Sequence, residues 1–138
     1  MALAIIITLE KELADFRAVY AKSASGKALA RELDRLDLAA RSCHVTPITG
    51  LLSESHAALA KQMEAEGFDV SKMRLPAEQW FAATEGLKTI RGLLARVEAN
   101  LNDFKFPNPI LRDLRTAEAL MIAAEANGVR FHFTKADV

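Results

Sequence analysis

Ala2-Leu3-Ala4-Ile5-Ile6-Ile7-Thr8-Leu9 at one end of the sequence, and Val129-Arg130-Phe131-His132-Phe133 at the other, decide the fold. β-Branched and aromatic residues at this density suit a pleated, half-buried surface. Three consecutive isoleucines are stiff about χ1, which disfavours the rival reading of the first run as a helix through Leu13. A lone strand leaves backbone groups unpaired, so the economical arrangement pairs the two ends in one small sheet. In the last run Val129, Phe131 and Phe133 point one way, and Arg130, His132 and Thr134 point the other. The first run is apolar on both faces. That contrast predicts a well-buried strand over residues 2–9 and an exposed edge over residues 129–133. A second free edge would then be open to a helix or to another copy of the chain.

Between the ends the apolar period changes to that of a helix. Leu29, Leu33, Leu36, Ala40 and Cys43 form one stripe, with Ser25 as the expected N-cap and Thr46-Pro47 as the stop. Arg31, Asp34, Arg35 and Arg41 lie off that stripe, and Asp37 with Arg41 reads as an i,i+4 pair. Leu87, Ile90, Leu94 and Val97, widened by Leu93, form a second stripe. Gly86 and Gly92 inside it imply either a close backbone approach or simple tolerance. Ile110, Leu114, Ala117, Met121 and Ala124 form a third, opened by Asn108-Pro109 and closed by Asn127-Gly128. A shorter segment with Leu59, Ala60 and Met63 starts at Ser53 or Ser55. It ends at Gly67, with Phe68 placed to fold back on it. Residues 13–20 read as a short helix or an ordered loop. The expected fold is therefore a mainly α single domain over residues 1–138. It has three long helices (26–43, 84–100 and 109–127), one or two short ones, and a two-stranded sheet from the termini.

Composition narrows the function classes. The 138 residues carry 18 Lys and Arg against 18 Asp and Glu, so the formal net charge is zero. No basic stripe is present, which argues against a nucleic-acid partner. Zero net charge weakens colloidal repulsion and favours self-association. Cys43 is the only cysteine, so no intramolecular disulfide forms. The apolar start lacks a basic n-region and is ended at once by Glu10-Lys11-Glu12, and no run is long enough to span a membrane. The expectation is a cytoplasmic protein with no membrane partner.

Several strings resemble a family of small uncharacterised bacterial proteins. They are Gly26-Lys27-Ala28-Leu29-Ala30-Arg31, Leu36-Asp37, Pro76-Ala77-Glu78-Gln79-Trp80-Phe81, Glu85-Gly86-Leu87 with Thr89-Ile90-Arg91, and Gly128-Val129-Arg130-Phe131-His132. Together they span about half of the chain. The family pattern has an acidic residue or proline soon after the aromatic pair, where Ala82-Ala83 stand here. The resemblance implies a single small domain and transfers no activity and no site residue.

The chemistry-bearing residues form no known catalytic or cofactor motif. Residues 21–28 approach a phosphate-binding loop, but Ala21 replaces its first glycine and Ala28 its magnesium-binding hydroxyl. What remains is a helix N-terminus at Gly26-Lys27 that could hold an anion. Cys43 and His44 are adjacent, so on a helix they diverge by about 100° and do not face each other. His44, His56 and His132 sit on three different elements without ligand spacing. The carboxylates of Asp34 with Asp37, and of Glu64 with Glu66, read as solvated faces. Trp80-Phe81 is either a binding hot spot or a core anchor. The residues expected to meet a partner or line a pocket are Trp80, Phe81, Arg130 and His132. Two function classes follow. One is a non-catalytic interaction protein (an adaptor, regulator or immunity-type protein) that binds itself, as a homodimer, or another protein. The other is a small enzyme or ligand binder whose site assembles around His132, His44 or Cys43. No metal and no cofactor is implied.

Overall fold

In the computed structural model, which describes residues 3–11, 26–53, 56–69, 71 and 78–137, the two ends of the chain pair. Strand β1 (Leu3–Leu9) runs antiparallel to β2 (Phe131–Asp137), with Ile7 opposite Phe133 and Thr8 opposite His132. This register puts Ile5, Ile7, Leu9, Phe131 and Phe133 on the face that packs into the core. Ile6, Thr8, His132 and Thr134 share the opposite face.

The last strand is not the expected exposed edge. Phe131, His132 and Phe133 are completely buried, and in β1 Ala4 and Ile5 are too, with residues 6–9 half-buried. The cause is the outer edge of β2, which two distant segments cover. Phe81 exchanges both backbone hydrogen bonds with Phe131, at 2.8 and 2.9 Å, and the Ser53 amide donates to the Phe133 carbonyl at 3.0 Å. β2 is therefore the inner strand. On the outer side of β1, the Ile5 amide donates to the Gly26 carbonyl at 3.0 Å.

Five helices lie between the strands among the described residues. The expected helix over residues 26–43 is two, α1 (Lys27–Arg31) and α2 (Leu33–Ser42), separated at Glu32 with φ −107°. The break divides two packing duties. α1 seats on β1 and on the last helix, while α2 seats on the long central one. α3 (His56–Ala65) follows, then α4 (Ala83–Ala99) and α5 (Pro107–Ala126), which pack along each other. α5 starts two residues earlier than expected, with Pro107 at N1 and Pro109 still in the first turn. First-turn amides have no intrahelical acceptor, so both prolines are tolerated. No described helix is long and apolar enough to cross a membrane.

Three helices end in the same way. After α2, α3 and α5 the backbone turns left-handed at His44, Gly67 and Gly128, with φ of 59°, 92° and 65°. In each, the following amide reaches back to the carbonyl five residues earlier: Val45 to Ala40, Phe68 to Met63, and Val129 to Ala124. Asn127-Gly128 and Gly67 thus cap as their sequence implies. The Phe68 backbone turns back to Met63, while the residue stays 52% exposed. Asp37 also departs from expectation. It is buried and accepts the Thr49 hydroxyl at 2.7 Å, and does not pair with Arg41 on the surface.

The N-terminus of α1 does hold an anion, and the anion is internal. The backbone amides of Gly26, Leu29 and Ala28 favour the charged form of the buried Asp113 carboxylate on α5, whose Oδ2 has no hydrogen-bond partner among the described residues. Ser25, the expected N-cap, lies outside the described residues. Burial pushes the Asp113 pKa above the ordinary 3.8, and the three amides pull it part of the way back. The folded state therefore holds this proton more tightly than the unfolded state. Its contribution to stability rises as pH falls from neutral towards 3.8. The Arg130 guanidinium holds Glu10 below its ordinary value, so that pair works in the opposite sense and weakens as pH falls. Comparing wild type with Asp113→Asn cancels the Glu10 effect. The expected result is that the stability difference moves in favour of wild type between pH 7 and pH 4, measured by urea unfolding. A pH-independent difference would show that this carboxylate is not the strained one.

Candidate functional site

Two regions gather polar side chains. The first is the polar face of the sheet. His132 is buried between a carboxylate and a hydroxyl. Its Nε2 lies 2.7 Å from Glu78 Oε2, and its Nδ1 lies 3.1 Å from Thr134 Oγ1 and 3.2 Å from the Phe133 carbonyl. Thr134 Oγ1 is in turn 2.9 Å from Thr8 Oγ1 on β1. A carboxylate only accepts, so Nε2–H donates to Glu78. The Phe133 carbonyl also only accepts, whereas the Thr134 and Thr8 hydroxyls can each donate or accept. Trp80 packs on the imidazole with ring centroids 4.7 Å apart. One pair along, Arg130 and Glu10 join across the strands.

This order of groups is that of a base oriented by a carboxylate beside a hydroxyl. The imidazole, however, is 0% exposed, so it meets no dissolved substrate in this conformation. Each of its polar atoms already has a partner within the fold. The chain ties the segment at Glu78 to β2 and β2 to β1, which is a structural job. Phe81 has the same job through its backbone pairing with Phe131. Of the four residues expected to meet a partner or line a pocket, all four therefore gather at this sheet, and only Arg130 is largely exposed. Cys43 and His44 lie elsewhere, at the end of α2. The Cys43 thiol faces the Gly92 carbonyl at 3.9 Å, and His44 is exposed. No contact joins either to His132, and no group of three or more His, Cys, Asp or Glu among the described residues could hold a metal ion.

The second region is an open cleft of about 240 Å³ between α2, α4 and the 3-10 turn Leu101–Asp103. Ala39 and the buried Phe104 make its floor. Leu38, 63% exposed, stands at its rim. Arg35 lines it from α2 and Arg96 from α4. Arg35 is held in place, since its Nη1 donates to the Asp103 carbonyl at 2.6 Å and its Nε lies 3.6 Å from Glu32. Two residues beyond Phe104 in the chain, Phe106 is 50% exposed, with Arg31 at 5.9 Å and Lys105 at 5.7 Å from its ring centre. Leu101 is 45% exposed on the same connection.

The cleft is smaller and more open than a typical small-molecule site, which encloses roughly 300–1,000 Å³. Its size suits one large side chain of a partner. Sequence reasoning passed over it, although the sequence carries two signs of it. Leu38 is a large apolar residue off its helix stripe, and Phe104-Lys105-Phe106 puts two aromatic rings in a connection. Comparison of the chain with protein-family models, with curated proteins and with solved structures returns no match.

Proposed function

We propose that the protein is a non-catalytic interaction protein whose contact face is the cleft between α2 and α4 with Leu38 at its rim. The observation that carries this reading is that Leu38, 63% exposed, stands in water beside an open cleft lined by Ala39, Phe104, Arg35 and Arg96. A large apolar side chain left in water beside a concave, partly apolar surface suits a face that is covered on binding. The catalytic reading has the Glu78–His132–Thr134 chain behind it, but its imidazole is 0% exposed.

The test uses a photo-crosslinking amino acid in place of Leu38 in cells, with the same group in place of the exposed Glu125 as control. A discrete adduct at position 38 and none at position 125 is the expected outcome, whether the second component is another protein or another copy of this chain. Equal labelling at the two positions would remove the cleft as a contact face.

A further inference from the structure

We draw no further inference here: the strongest candidate, the Glu78–His132–Thr134–Thr8 side-chain cluster on the polar face of the sheet, belongs to the site already described, where the imidazole is 0% exposed and each of its polar atoms is partnered within the fold.

Discussion

A Gly26→Ala chain is expected to lose roughly 2–5 kcal/mol of folding stability, a large part of the roughly 5–15 kcal/mol that such domains have. Two independent terms add. Gly26 has φ +77°, and an L-residue held there costs about 1–2 kcal/mol. A β-carbon at this position would also stand 2.1 Å from the Ile5 carbonyl oxygen and 2.9 Å from its carbon. That neighbour is backbone of β1, not the end of a flexible side chain, so the strand itself must move. Displacing it strains the bond from the Ile5 amide to the Gly26 carbonyl and the seat of the Asp113 carboxylate together; such overpacking costs about 1–3 kcal/mol. Gly67→Ala provides the comparison. Its φ is +92°, but a β-carbon there meets nothing within 4 Å, so only the conformational term applies. Urea unfolding of both variants checks the reasoning. Equal losses at the two positions would mean that the approach of Gly26 to β1 is not tight.

The same glycine shows what the sequence can and cannot disclose. Gly26-Lys27 is legible as the start of a helix with free amides, and an anion does sit there. Which anion it is depends on Asp113, 87 positions further along, and no local pattern marks that residue. The pairing of the terminal strands is legible because an isoleucine run has few other places to go. The strand order is not, because it rests on short backbone bridges from Phe81 and from Leu52-Ser53, which are residues without a strand pattern of their own. Helix ends at Gly67 and Gly128 are legible from glycine. The end at His44 takes the same left-handed conformation without one. Asp37 and the break at Glu32 escape notice because helical spacing assigns faces, and the tertiary partners Thr49 and α4 then override them.

The candidate site divides in the same way. Trp80, Phe81, His132 and Arg130 are distinctive as residue types, and the fold does bring them to one sheet. Their distinctiveness there serves closure of the polar chain. The cleft is built from ordinary residues whose meaning depends on what is left uncovered. Its Arg35 wall is held by the bonds to the Asp103 carbonyl and to Glu32.

Phe131→Ala should cost roughly 3–5 kcal/mol, the range for removing a buried aromatic ring. The ring lies at the meeting point of the sheet and the helix pair. It stands 5.3 Å from the Phe133 ring, edge to face, and 6.3 Å from the Phe81 ring. It also explains Gly86, one of the two glycines inside α4. A β-carbon on Gly86 would come within 2.6 and 2.7 Å of Phe131 Cζ and Cε1 and 2.9 Å of Met121 Sδ. The close approach implied by Gly86 is therefore to β2 and α5 at once, and the glycine and the ring are two halves of one packing solution. Gly86→Ala alone should cost about 1–3 kcal/mol by overpacking, despite the better helix propensity of alanine. In a Phe131→Leu background the smaller side chain leaves room, and the same substitution should cost less by about 1 kcal/mol or more, within the range of direct contacts. A double-mutant cycle in urea measures that coupling. Zero coupling would mean that Phe131 is not what keeps position 86 bare, and would shift the explanation to Met121 alone.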